Sequence, residues 1–386
     1  MRERQFTDCV DIVGASCKPF EGNRRYISTG AVATDHIDES DVEIVDYKSR
    51  PSRADLIVEP GTLLFAKMQG TKKTLYVDKE KAENIYSTGF FALKAKSGVI
   101  STRCLYHMLG STSFLTQKDK NCSGATQKAI TNAGLKKIRV SIPDYQLQEA
   151  IADQLDKISS VIQMRRSELQ KLDDLVKARF VEMFGDPENN SFDWKEQPLS
   201  KHLDVVGGFA FKSDQFVEEG IPVLRIGNIN AGYFKPVNMV FWDNDDNLKK
   251  YKLFPGDLVM SLTGTVGKDD YGNVCILGND YDEYYLNQRN AKLELKDSIN
   301  KYYISTLLKF ESIKKKLTGI SRGIRQANIS NKDILNLVVP IPNITTQIEF
   351  EQFVQQVDKS KFVESIHVLK LIKEAIAKEV SHDRIR

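Results

Sequence analysis

The stretch "SGATQKAITN" (Ser123–Asn132) is answered, half a chain later, by "SRGIRQANISN" (Ser321–Asn331). Gly124 meets Gly323, Gln127 meets Gln326, Ile130 meets Ile329 and Asn132 meets Asn331, each pair 199 residues apart. Downstream the same offset pairs Leu135 with Ile334, Ile138 with Leu337, Val140 with Val339, Pro143 with Pro342 and Gln148 with Gln347. Upstream it narrows to 195, where "EPGTLLF" faces "FPGDLVM", and to 193, where "VDIVG" faces "LDVVG". An ordered series of matches whose offset drifts by a few residues is what loop insertions in a duplicated domain leave behind. The 386 residues are also too many for one ordinary core.

Each copy has two parts. The first, 1–145 and again 191–345, carries short β-branched and aromatic runs broken by Gly and Pro, such as "YSTGFFALKA" and "GDLVMSLTGTVG". These predict mixed or mainly β domains, interrupted by one or two helices at "TRCLYHMLGSTSFLTQ" and "KYYISTLLKFESIKKKL". The second part, 146–190 and again 346–386, differs in kind. From Leu147 to Phe184 there is no Pro and no Gly, and Ile151, Leu155, Ile158, Ile162, Arg165, Leu169, Leu172 and Val176 alternate at four and three. That 3.5-residue period is a helix–helix seam. Adding 199 gives Phe350, Val354, Val357, Lys361, Glu364, Val368, Leu371 and Ala375, six of the eight apolar. At 1.5 Å per residue the first rod is about 57 Å long, and two rods of matching pattern are expected to pack on each other. "MFGDPENN" (Met183–Asn190) stops the first rod, and Trp194 opens the second domain.

The composition, 41% hydrophobic and 28% charged, is that of a soluble globular chain. No apolar run reaches a bilayer span and "MRERQFTDCVD" has no signal-peptide core, so a cytoplasmic protein with no membrane partner is expected. The five cysteines are scattered, with no CxxC, and read as structural thiols in a reducing compartment. Net charge is only +3. Residues 1–145 hold 22 Lys and Arg against 17 Asp and Glu, and the second copy bunches its cations at "SIKKKLTGISRGIR". Such bunching suits a polyanion and also a solvated face.

No active site emerges. "GTVGK" (Gly264–Lys268) has Leu262 and Asp269 where a phosphate loop needs Gly and Ser/Thr, and reads as a hairpin. The five histidines have no zinc spacing. A nucleophile elbow, a glycine-rich methyl-donor loop and an Asn-Pro-Pro-aromatic tetrapeptide are all missing. Neither a catalytic residue, nor a metal, nor a cofactor is expected. What the loops do carry is base-reading chemistry. Arg pairs bidentately with guanine and Gln or Asn with adenine, while Gly lets a backbone approach phosphate. The candidates are Lys67, Gln69, Lys72 and Lys73; Thr126, Gln127 and Lys128; Lys212 and Ser213; Arg225, Asn228 and Asn230; Asn287, Gln288 and the adjoining Arg289; and Arg322, Arg325 and Gln326.

The layout resembles the specificity subunit of type I restriction–modification systems, over nearly the whole chain. The resemblance is carried by "SRGIRQANISNKDILNLVVPIPNITTQIEF", "SGATQKAITNAGLKKIRVSIPDYQLQEAIADQLDKI", "GGFAFKSDQFVEEGIPVLRIGNI", "PGDLVMSLTGTVG" and "LVKARFVEMFGD". It implies an α+β protein of two target-recognition domains, each followed by a long helix, with the helices paired as an antiparallel coiled coil. It also implies a non-catalytic subunit that reads a bipartite target in double-stranded DNA. Its implied partners are two DNA methyltransferase subunits and motor/nuclease restriction subunits. The first copy departs from the pattern: it has no entry like "FDWKEQPL", and "ASCKPFEGNRRYISTGAV" matches "GGFAFKS" poorly. A recognition module of a modification-only system, or a coiled-coil adaptor with two β-rich domains, fits the repeat and the rods as well.

Overall fold

The computed structural model describes residues 2–125, 127–230, 232–265, 270–319 and 326–361. Its contacts group the residues up to Gln163 in one unit and Met164–Leu371 in another, so the long helix is shared between them.

In the first unit a four-stranded antiparallel sheet has the order Val10–Val13, Phe90–Ala95, Thr62–Ala66, Thr74–Val77. In the second the order is Leu203–Gly207, Asn290–Leu295, Leu258–Ser261, Val274–Ile276. The registers agree pair by pair. Ile12 faces Leu93 as Val205 faces Leu293, and Leu63 faces Leu93 as Leu258 faces Leu293. A register slip of one residue would turn every side chain to the other face, so this agreement fixes the duplication at the level of packing. The closing strands agree too: Arg4 lies opposite Val140, and Gln197 opposite Val339.

Each unit has a second sheet built around one parallel pair. In the first unit Asn23–Ile27 runs parallel to Ile85–Ser87, and in the second Ile221–Leu224 runs parallel to Tyr284–Leu286. The first unit's sheet has one more strand, Ala15–Ser16, at its edge. The helices expected inside each domain are Thr102–Leu109 and Thr112–Lys120, and then Lys301–Leu307 and Glu311–Thr318.

The long helix is Tyr145–Phe184. Gly185, at φ +81°, ends it, and the Trp194 indole donates to the Phe184 carbonyl at 2.9 Å. Trp194 therefore caps the rod as well as opening the second domain. In the first unit Ile151, Leu155, Ile158 and Ile162 are half-buried and Ala152 is fully buried. The second helix is described over 344–361. Within the second unit the two helices pair, and their contacts run in opposite directions: Asp173 holds Lys361 at 2.7 Å, and Phe180 and Phe184 both meet Phe350. The pairing is antiparallel. Val176, Phe350, Val354 and Val357 are buried on the expected seam, with Leu169 and Leu172 half-buried beside them. Val368 and Leu371 lie outside the described residues. Past Val176 the core positions move to Phe180 and Phe184, a spacing of four. There the helix packs on the domain core, against Leu199, Met260, Tyr303 and Ile304, as well as on its partner.

Candidate nucleic-acid interface

A parallel strand pair releases both of its chains at the same end. In the first unit the exits are Ser28–Gly30 and Thr88–Gly89; in the second they are Arg225 and Asn287. That geometry gathers loops which are far apart in sequence. The loop after Thr62–Ala66 joins them: Lys67 donates its backbone N–H to Gly89 O at 2.9 Å and accepts from Ile130 N at 2.9 Å. The second unit repeats the junction: Leu262 N donates to Arg289 O at 2.8 Å, and Leu262 O accepts from Ile329 N at 2.8 Å. The paired strands Phe90–Ala95 and Asn290–Leu295 start at these junctions. Their far ends lead to Ser101 and Asn300, each clasped by a glutamine of a long helix. The loops and the helices thus lie at opposite ends of each domain's central strand.

The glycine-led turn is part of the first junction. Gly124 has φ +134°, and a Cβ there would sit 2.5 Å from Gln127 O, so only glycine fits. Gln69 N donates to Lys128 O at 2.9 Å and ties the turn to the neighbouring loop.

The candidate side chains divide into those that present and those that hold. Lys72, Gln127 and Lys128 are exposed, as are Lys212, Ser213, Gln288 and Arg289 in the second unit. Phe209 N donates to Leu286 O and Gln288 N to Phe209 O, both at 2.8 Å, which brings the Lys212 loop beside Gln288. Lys67 is turned inward: its ammonium donates to Thr88 O at 2.8 Å and lies 4.5 Å from the Phe91 ring centroid. Burial pulls its pKa below the ordinary lysine value. Lys73 likewise donates to Thr29 O at 2.7 Å. Asn228 is 2% exposed and holds its own loop, donating to Lys235 O and Val237 O at 3.0 Å each. Its side chain braces the loop from inside the fold. Arg225 is half-buried and donates to Asn238 O; Asn230 and Asn287 are half-buried, Asn287 accepting from Arg289 N at 3.2 Å. Thr126, Arg322 and Arg325 fall outside the described residues, and Gln326 is described only by its backbone, paired with Thr265.

Two residues at the first junction carry no sequence signal at all. Lys118, on Thr112–Lys120, is fully buried, and its ammonium donates to Met68 O at 3.0 Å and Thr71 O at 2.7 Å. Its neighbour Asp119 accepts from Gly70 N at 3.1 Å. A lysine in an amphipathic helix reads as solvated; nothing local says that it turns into the fold.

Among the described residues no group of three or more His, Cys, Asp or Glu could hold a metal ion. No helix among them is long and apolar enough to cross a membrane.

Two copies of one α+β domain, each displaying polar loops at one end and a long helix at the other, define a duplicated recognition protein. The chain belongs to the type I restriction modification DNA specificity domain family, whose domain matches residues 12–173 and again 192–373. The specificity subunit of the MjaVIII type I restriction enzyme from Methanocaldococcus jannaschii is 25% identical over 300 residues, 72% of this chain and 68% of that one. That of EcoKI from Escherichia coli is 22% identical over 270 residues, covering 65% of this chain and 57% of its own length. Among solved structures, the type I restriction–modification S subunit from M. genitalium is similar at 15% identity, with 97% of this chain and 94% of that chain covered and a TM-score of 0.47. The HsdS subunit from Thermoanaerobacter tengcongensis is similar at 16% identity over 98% of this chain and 95% of that one, with a TM-score of 0.39.

Proposed function

We propose that this chain is the non-catalytic specificity subunit of a type I restriction–modification assembly. Each domain reads one half of a bipartite target in double-stranded DNA through the loops at its junction. The paired helices hold the half-sites at a fixed spacing and provide the seat for two DNA methyltransferase subunits, with motor/nuclease subunits joining for cleavage. The observation that carries this reading is the repeated junction. The same backbone hydrogen bonds, on Lys67 and on Leu262, organise both loop clusters, and around them exposed Lys72, Gln127, Lys128, Lys212, Gln288 and Arg289 offer phosphate and base contacts.

The test is the binding of the full chain to duplex DNA in a gel-shift series at rising salt. Phosphate contacts release counterions, so log K falls linearly with log salt, with a slope of about −0.9 for each phosphate neutralised. A sequence-selective complex with such a slope supports the reading. Failure to bind duplex at low salt, or binding indifferent to both salt and sequence, overturns it and leaves the adaptor reading in its place.

A further inference from the structure

The exposed loop Met68–Thr71 is held from beneath with unusual completeness. Gly70, at φ +74°, occupies the third position of the turn, where a positive φ is required. Met68 O accepts from Thr71 Oγ1 at 2.6 Å and from Lys118 Nζ at 3.0 Å, and Thr71 O accepts from Lys118 Nζ at 2.7 Å. The counter-charge of that buried ammonium is the Asp119 carboxylate, with Oδ1 at 3.2 Å. Two carbonyl acceptors and one carboxylate counter-charge thus surround the ammonium, which is the condition for keeping a lysine out of water. The same Asp119 carboxylate takes the Gly70 N–H. Both ends and the tip of the turn are therefore tied to the last turn of Thr112–Lys120.

This scaffold sets one exposed side chain. Gln69 Nε2 donates to the backbone carbonyl of Asp119 at 3.1 Å. A carbonyl oxygen only accepts, so this bond fixes which end of the Gln69 amide faces inward. One amide hydrogen is used. The other hydrogen remains a donor, and Oε1, which accepts no hydrogen bond among the described residues, remains an acceptor on the same exposed amide. An adjacent donor and acceptor of that kind complement N7 and the N6 amino group of adenine in the major groove. Guanine offers two acceptors there, O6 and N7, and would set one of them against Oε1.

We infer that Gln69 reads an adenine in the half-site of the first domain, and that Lys118 and Asp119 are positioning residues that preset its amide. The inference rests on the DNA-reading function proposed above and adds a base and a mechanism to it. Neighbouring Lys72, exposed and without an internal hydrogen bond among the described residues, is a point charge suited to phosphate and carries no base preference.

The experiment is selection from a pool of randomised duplexes by the full chain, followed by Kd measurements on single-base variants of the selected site. The expected wild-type result is one A·T pair in one half-site whose replacement weakens binding about 5- to 150-fold. In Gln69→Ala that discrimination disappears while every other position keeps its own. Gln69 is exposed, so this variant folds as the parent does. Lys118→Met removes the same discrimination, and combining it with Gln69→Ala adds no further loss at that pair; general damage would flatten all positions together. The inference is overturned if wild type selects a site and Gln69→Ala discriminates as before, or if the pair it loses is G·C. A wild-type chain that selects no sequence overturns the DNA-reading function and this inference with it.

Discussion

Gln148 accepts the backbone N–H of Ser101 on its Oε1 at 2.7 Å, and 199 residues later Gln347 accepts that of Asn300 at the same 2.7 Å. Both glutamines are fully buried, and each returns its amide to the carbonyl of a helix-entry proline, Pro143 or Pro342. Each clasp thereby fastens the start of a long helix to the N-cap of a short helix in its own domain. Replacing Gln148 with Leu keeps the volume and leaves the Ser101 N–H unpaired, at a cost of about 1–3 kcal/mol. Hydrogen exchange over 99–105 in Gln148→Leu is expected to accelerate, with 300–305 unchanged; the pattern reverses in Gln347→Leu. Equal exchange in all three proteins would mean the clasp is idle.

The glutamine pair was visible in the sequence because both members stand at the same offset as the prolines. So was most of the architecture: the duplication, the long helix to within two residues of its start, and the seam up to Val176. Periodicity was less informative where the rod stops being a rod. At Phe180 and Phe184 the helix serves a domain core, so the apolar spacing leaves 3.5 for four. The candidate interface was half legible. Gly124 and the polar loops stood out, but local sequence cannot tell a lysine that projects from one that folds back. Lys67 and Lys73 are held by carbonyls supplied from distant loops, and Lys118 by a turn about fifty residues earlier.

The aromatic cluster at the rod's end carries more stability than the ion pair further along. Phe350 is fully buried, with its ring centroid 5.5 Å from Phe180 and 5.4 Å from Phe184. Phe350→Ala should cost about 3–5 kcal/mol. Lys361→Ala removes a partly exposed pair with Asp173 and should cost less than about 1 kcal/mol. Urea unfolding of the two variants, read by a probe in the second domain such as Trp194, is expected to rank them in that order; equal losses would move the weight of the pairing onto charge.

In the first unit the helix is fastened ionically. Arg103 reaches Glu149 at 3.0 Å, Asp153 at 2.7 Å and Asp156 at 2.9 Å, and His107 Nε2 meets Asp156 at 2.6 Å. Burial pushes the Asp156 carboxyl upward, but the bonds from Arg103 and His107 outweigh it and hold its pKa below the ordinary carboxylate value. A depressed carboxylate stabilises the fold fully above its unfolded pKa and loses that contribution as pH falls through the folded one. Wild type should therefore exceed Arg103→Ala in stability at neutral pH, with the gap closing through the acid carboxylate range. A gap that widened in acid would contradict this assignment.

Gly124 and Gly22 separate two kinds of glycine. Both have positive φ, +134° and +75°, but a Cβ at Gly22 meets open space whereas one at Gly124 runs into Gln127 O. Gly22→Ala should carry only the backbone strain of about 1 kcal/mol. Gly124→Ala must also displace the turn that presents Gln127 and Lys128, so duplex affinity should fall in Gly124→Ala and hold in Gly22→Ala. Equal affinity in the two variants would take this turn out of the interface.

Under the proposed function the rods also bear on target spacing. The antiparallel register from Asp173–Lys361 to Phe184–Phe350 fixes one helix along the other, and the long helix passes from the first unit to the second between Gln163 and Met164. Four residues inserted at that boundary, with four more in the second helix to match, lengthen the pair by about 6 Å. At roughly 3.4 Å per base pair this approaches two base pairs of extra spacer. The half-sites themselves should not change, because Gln69, Lys128, Lys212 and Gln288 sit on loops at the other end of each domain's central strand. Binding is measured over duplexes whose spacer varies one base pair at a time. A shift of the optimum by one or two base pairs, with half-site sequence preserved, makes the helices a ruler. A folded double insertion that still prefers the parental spacer makes them a platform for partner subunits alone.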